Sequence, residues 1–205
     1  EGDASPTGGR LMRVLVVHSH PDPESYSAAL RATVMDGLAA AGHETRLIDL
    51  YAEDFDPVLR RGAWRDYEDP LLNARGLDDH VQALAWAEAV VFVYPTWWYG
   101  PPAMLKGWLD RVWLPEVAFT LPRDGPIRPK LTHIRKLGVV TTCGATWWLT
   151  QIVGAPGRNL LLRGCRFLMA KGCRTVFLAH YAMDSSTPES RERFRRKVEK
   201  AMARF

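Results

Sequence analysis

The sequence predicts an α/β domain with a doubly wound, five-stranded parallel sheet in the order 2-1-3-4-5 and helices on both faces. Three observations lead there. Short apolar runs without strict alternation, such as Ala89-Val-Val-Phe-Val-Tyr94, read as strands buried on both sides. Helical stretches alternate with these runs, and that order requires right-handed crossovers and a parallel sheet. The 205 residues, 47% hydrophobic and 24% charged, suffice for one well-filled domain and are too few for two comfortable ones.

Residues 1–10 read as a disordered leader, rich in Gly, Ser, Thr and Pro, and 11–205 as a single domain. Leu11 to Val17 is the first strand, and His18 to Glu24 a loop. Ser25 stands where an N-cap belongs, ahead of a helix from Tyr26 to Ala41 that Gly42 terminates. Glu44 to Leu50 is the second strand, and Tyr51 to Asn73 is irregular. A helix over Leu77 to Glu88 precedes the third strand, Ala89 to Tyr94. Pro101 suits the first turn of a helix reaching Trp113, and a proline-rich connection covers Leu114 to Thr132. Lys136 to Thr142 is the fourth strand, Gly157 to Gly172 a helix, Thr175 to Ala179 the fifth strand, and Pro188 to Arg204 the closing helix.

Composition narrows the function classes. The net charge of +4 is mild, and the one dense basic run, Arg191 to Lys200, carries Phe194, Val198 and Met202 at helical spacing. It reads as the solvated side of a helix, so no nucleic-acid partner is expected. Three cysteines without a C-x-x-C pattern point to a reducing, cytoplasmic setting with no disulfide framework and no metal site. No apolar run approaches the length of a membrane span, so no membrane insertion is expected.

The chemistry gathers at three strand ends, where ligands of such sheets bind. The first end offers His18, Ser19, His20, Ser25 and Ser27 beside the free N–H groups of a helix start, a set suited to a phosphate. Neither G-x-G-x-x-G nor a P-loop is present. The third end places Trp97, Trp98 and Tyr99 side by side before Gly-Pro-Pro, which suits something flat. The fourth end, Thr141-Thr-Cys-Gly144, has small residues that let backbone N–H groups approach a planar ligand, with Trp147 and Trp148 placed to cover it. Together they describe a flat polycyclic ligand with a phosphate tail.

These motifs resemble the flavodoxin-like NAD(P)H:quinone oxidoreductase family, which includes mammalian quinone reductases and bacterial ancillary reductases of potassium efflux systems. The resemblance runs from about Met12 to Tyr181. Its most specific part is Pro95-Thr-Trp-Trp-Tyr-Gly-Pro-Pro-Ala-Met-Leu-Lys-Gly-Trp-Leu-Asp-Arg-Val112, supported by His18 to Ser27, Asp49 to Pro57 and Thr141 to Gly144. It implies a flavin-dependent NAD(P)H oxidoreductase passing hydride through flavin N5 to a quinone or similar small acceptor. The alternative is a flavin-binding ancillary subunit of a potassium efflux transporter. It implies that His18, Ser25, Tyr26 and Ser27 hold the flavin's phosphate arm. Pro95, Thr96, Trp97, Trp98 and Tyr99 then meet the ring, and Thr141, Thr142, Cys143 and Gly144 its pyrimidine side. FAD is favoured over FMN because the Ser-Tyr-Ser helix start resembles the longer quinone reductases. NAD(P)H is the implied co-substrate.

One departure stands out. After the Thr-Thr-Gly-Gly stretch, the mammalian enzymes carry a Tyr and then a His that assist hydride transfer; Thr146 to Arg158 has neither. Trp147, Trp148 and Tyr99 are therefore the candidates for stacking and catalytic assistance, although a tryptophan cannot supply a phenolic proton. A symmetric homodimer is also expected. The helix ending at Trp113 carries Met104, Leu105, Trp108, Leu109 and Val112, more apolar surface than one stripe needs.

Overall fold

The five apolar runs form one parallel sheet in the computed structural model, which describes residues 10–122 and 124–205. The strands are β1 (Arg13–His18), β2 (Glu44–Asp49), β3 (Ala89–Thr96), β4 (Lys136–Cys143) and β5 (Arg174–His180), in the order β2-β1-β3-β4-β5. The expected leader lies outside the described residues for all but Arg10. Alternation inside the strands divides the core. Leu15, Val17, Phe92 and Tyr94 point to one face, and Val14, Val16, Val91 and Val93 to the other.

The first face is covered by α3 (Asp78–Trp86) and α4 (Ala103–Val112), the second by α1 (Tyr26–Ala40) and α7 (Pro188–Met202). Ser25 caps α1, its hydroxyl accepting from Ala28 N at 3.1 Å. Thr187 and Ser190 cap α7 reciprocally, with Pro188 in the first turn. Gly107 is required by a close approach, since a Cβ there would lie 2.2 Å from the Pro57 carbonyl oxygen. That contact seats the irregular segment after β2 against α4.

Three expectations need correction. The helix expected over Gly157 to Gly172 is broken: α6 (Pro156–Asn159) passes into a π turn over Leu160–Gly164 and a 3-10 turn over Cys165–Leu168. Two glycines and uneven apolar spacing give no single face for a regular helix to bury. Short helices also form where loops were expected, α2 (Arg61–Arg65) and α5 (Trp147–Ile152), the latter capped by the Thr146 hydroxyl. Finally, the apolar surplus of α4 is consumed within the chain. Leu105, Trp108, Leu109, Val112 and Trp113 are all buried, and the connection folds back to bury Leu114, Ala118 and Leu131 beside them. It does so partly through a two-stranded ribbon of Phe119–Thr120 and Arg128–Pro129. The α4 face therefore gives no argument for a dimer.

Candidate functional site

Chain order reverses between β1 and β3, and the loops leaving β1, β3 and β4 converge at that end of the sheet. The loop after β3 is a two-residue hairpin: Trp97 N donates to Gly100 O and Gly100 N to Trp97 O, both at 3.0 Å. Its central residues, Trp98 and Tyr99, have φ of +49° and +62°. Asn-Gly normally fills such a turn, because a bulky side chain at positive φ costs about 1–3 kcal/mol. The strained turn is pinned from outside, Gly157 N donating to Tyr99 O at 2.9 Å. A Cβ on Gly157 would itself sit 2.9 Å from that oxygen, so only glycine lets α6 come this close. The result presents Trp98 with 97% of its surface exposed.

The loop after β1 is built differently. His18 is buried, and its Nδ1 lies 3.0 Å from Asp49 Oδ2, while Arg31 Nη1 donates to the same oxygen at 2.6 Å. A carboxylate only accepts, so Nδ1 carries the proton and Nε2 offers a lone pair when the ring is neutral. Burial lowers the His18 pKa despite the Asp49 contact. Burial alone would raise the Asp49 carboxyl; hydrogen bonds from His18, Ala52 N and Arg31 outweigh it and hold that carboxyl low. Three buried polar atoms here have no partner: His18 Nε2, Ser19 Oγ and Ser27 Oγ. Such atoms are costly unless something completes them. His20 reaches toward the aromatic loop, its ring centroid 6.3 Å from that of Trp97.

In the loop after β4, Thr141 and Thr142 are buried, and the Thr141 hydroxyl pairs with that of Thr96 at 2.9 Å. Cys143 is buried with its sulfur 3.8 Å from the Thr150 hydroxyl. A Cβ on Gly144 would meet Asp184 Oδ2 at 3.0 Å, so the glycine keeps backbone accessible beside a carboxylate.

Between the loops lies a cleft of about 500 Å³ lined by Thr96, Trp97, Trp98, Tyr99, Cys143, Gly144, Ala145 and Asp184. A second cleft of about 500 Å³ opens beyond the turn at Met183–Ser185, where Ser185, Ser186, Ser190, Arg193 and Lys197 face His180. The buried Nδ1 of His180 also lacks a partner.

The structure thus brings Thr96 to Tyr99 together with Cys143 and Gly144 on one cleft, with Pro95, Thr141 and Thr142 buried beneath. Ser25 spends its hydroxyl on the helix cap. Tyr26 donates its hydroxyl to Arg191 O at 2.7 Å, and burial pushes its pKa up to about 12. Neither of these two hydroxyls is free for a ligand. Trp147 and Trp148 are exposed on α5 and do not line the cleft. Sequence reasoning missed Arg31, Ala145 and Asp184, and used Asp49 only as part of a motif. Asp49 had a signal, an acid at the end of the strand beside β1; Asp184 had none, because a short 3-10 turn carries it in.

A family model described as flavodoxin-like fold matches residues 12–202. A rat NAD(P)H dehydrogenase [quinone] 1 is 30% identical over 202 residues, covering 85% of this chain and 72% of that protein. The chain belongs to the flavodoxin-like NAD(P)H:quinone oxidoreductase family. A Penicillium crustosum protein called ribosyldihydronicotinamide dehydrogenase-like protein traD is 35% identical over 118 residues, 50% of this chain. The matched part spans only 44% of that relative's length. Among solved structures, a Methanothermobacter marburgensis NAD(P)H:quinone oxidoreductase superposes with a TM-score of 0.79 at 25% identity, covering 94% of this chain and 98% of its own. Within this oxidoreductase family the present chain carries an apolar helix, α5, in the stretch where the resemblance placed a Tyr and a His. Trp147, Trp148, Leu149, Ile152 and Val153 are all exposed there.

Proposed function

We propose that this chain is a flavin-dependent NAD(P)H oxidoreductase that reduces a quinone or a similar small acceptor. One observation carries the reading: an aromatic-walled cleft and three unpartnered buried polar atoms stand at adjoining strand ends. The residues present fit a flavin. Thr96 to Tyr99, Cys143 and Gly144 form a slot for a flat ring, and the Ser19–Ser27 loop with the α1 N-terminus suits its phosphate arm. A bound flavin supplies the two-electron chemistry, in which NAD(P)H plus one proton reduces a quinone to a hydroquinone and leaves NAD(P)+.

The protein's own work is positioning and electrostatics. The Thr142–Gly144 backbone would meet negative charge developing on the ring, with Gly144 permitting the approach. Trp98 offers a face against which ring or acceptor packs. His18 would reach the arm through Nε2, while its Nδ1 donates to Asp49, whose carboxylate Arg31 holds in place. Of the three candidates for catalytic assistance, Tyr99 lines the cleft and carries a phenolic proton, whereas Trp147 and Trp148 cannot donate one.

FAD is the preferred cofactor. The second cleft, with Arg193, Lys197 and three serines, gives an adenylate half somewhere to lie, which FMN would leave empty. A homodimer covering the exposed α5 face is also proposed, since five neighbouring apolar side chains in water mark an interaction surface. No helix among the described residues is long and apolar enough to cross a membrane. The three free, buried cysteines accord with a cytoplasmic setting.

The test is direct. The purified chain is titrated with FAD and FMN by fluorescence quenching, then mixed anaerobically with NADH or NADPH and a simple benzoquinone. Tighter binding of FAD and quinone-dependent NAD(P)H oxidation are expected. Failure to bind either flavin overturns the whole reading, whereas a preference for FMN overturns only the role given to the second cleft. A mass near the 23.1 kDa chain in light scattering of the flavin-loaded protein overturns the dimer.

A further inference from the structure

At the opposite end of the sheet, away from the cleft, a concavity of about 550 Å³ is lined by Arg10, Arg135, Lys136, Lys171, Arg174 and Arg204. Its remaining lining is Met12, Ala170, Gly172, Cys173 and Phe205, with no acidic side chain. The register builds this crowding into the fold. Lys136 and Arg174 are direct partners at the start of β4 and β5. Like charges placed directly opposite each other on neighbouring strands are destabilising.

The same end of the sheet is balanced one strand over. Arg13 faces Glu44 across β1 and β2, and Glu88 pairs with Arg10 at 3.3 Å and Arg13 at 3.7 Å. Among the described residues, Arg135, Lys136, Lys171, Arg174 and Arg204 make no salt bridge. Lys136 is half-buried, its ammonium 4.4 Å over the Phe205 ring and donating to Arg204 O at 3.4 Å. Burial first, and then Arg174, lower its pKa, the direction expected of a cation short of anions.

We infer that this basic concavity is a binding site for a small soluble ligand carrying two or more adjacent phosphates, separate from the flavin cleft. Five unpaired cations converging on one hollow match several negative charges held close together, and arginine forks fit phosphate oxygens in pairs. The hollow form argues for a compact ligand. A membrane surface would need a flat face with apolar residues to insert, and a nucleic-acid strand would need a longer track than one end of two strands.

The experiment titrates the flavin-loaded full chain by calorimetry, at constant ionic strength, with inorganic tripolyphosphate and separately with orthophosphate. Saturable one-to-one binding of tripolyphosphate, at least tenfold tighter than orthophosphate, is expected. Arg174→Gln, an exposed position, should weaken it at least tenfold without changing quinone reduction. Arg195→Gln, which removes the same charge elsewhere, should leave it within twofold. Lys136→Gln should raise the melting temperature of the ligand-free protein and shrink the increase that tripolyphosphate produces. Equal losses in the Arg174 and Arg195 variants would reduce the effect to general charge and overturn the proposal. So would tighter binding to a single-stranded oligonucleotide, or to vesicles of phosphatidylcholine with phosphatidylinositol bisphosphate, than to tripolyphosphate.

Discussion

Trp98 and Trp108 lie ten positions apart on one continuous segment, yet one is 97% exposed and the other fully buried. Trp108 sits on the inward side of α4, its Nε1 donating to His80 Nδ1 at 3.3 Å and its ring edge-on to Phe92 at 6.1 Å. Its backbone is ordinary helix. Trp98 stands at the tip of a turn whose conformation disfavours any bulky residue, and it gains no packing in return. The contrast separates two uses of one side chain. The buried ring is accounted for by packing within the chain, whereas the exposed one sits on a strained turn that its own packing does not repay, which supports the ligand role proposed for it.

The sharpest break in that comparison is to remove each ring in turn. Trp108→Ala should cost about 3–5 kcal/mol in denaturant unfolding of the flavin-free protein. Trp98→Ala should stay within about 0.5 kcal/mol by the same measurement while weakening flavin retention. A large stability loss at Trp98 would make it a core residue after all, and the aromatic wall would lose its argument.

The backbone beneath each ring gives the next two tests. Gly107→Ala places a methyl group against the Pro57 carbonyl, with the ideal Cβ 2.2 Å from the oxygen. It should destabilise by about 1–3 kcal/mol, since helix and loop must part. At the other ring, replacing Trp98-Tyr99 by Asn-Gly gives the hairpin its preferred residues. That double change should stabilise the flavin-free protein by about 1–2 kcal/mol by relieving part of the strain, and should reduce flavin affinity. Thermal melts with and without flavin separate the two effects. No gain in stability would mean that the turn carries no strain.

The two regions were not equally legible. Sheet order and the buried strands could be read directly, because apolar runs alternating with helices allow few topologies. The aromatic loop was legible for a related reason: Gly-Pro-Pro marks where the strand must end. The apolar side of α4 misled. Periodicity counts apolar residues but cannot show that the following connection folds back over them, as Leu114, Ala118 and Leu131 do. The break near Leu160 was only half legible: Gly157, Gly164 and uneven apolar spacing marked the stretch as a poor helix, but π and 3-10 turns share the composition of an α-helix, so its form could not be read. In the site itself, residue types were readable but their commitments were not. Ser25 and Tyr26 are occupied by a cap and by the Arg191 carbonyl, while the buried Ser19 and Ser27 hydroxyls remain unpartnered.

The smallest effect concerns His18, and its sign differs between the empty and the loaded site. Burial lowers the imidazole pKa below its ordinary 6.5; the Asp49 hydrogen bond and charge oppose this, and Arg31 and His20 add to it. Below that value the unfolded chain takes up a proton that the folded protein resists. Stability is therefore fully present above about pH 6.5 and falls as the pH drops through that region. His80, lowered chiefly by burial, acts in the same direction. His18→Gln should flatten part of the slope in melting temperature between about pH 5 and 7, and His80→Gln a separate part. A phosphate arm bound at Nε2, as proposed above, would reverse the preference at His18. The ring would then take up the proton, both nitrogens would donate, and its pKa would rise. Flavin affinity should accordingly fall as the pH rises from below about 6.5, by at most about tenfold per pH unit for a single linked proton. Flavin titrations across that range, repeated with His18→Gln, check it: the slope should vanish in the variant. A slope that survives would place the linked proton elsewhere and leave His18 a structural partner of Asp49.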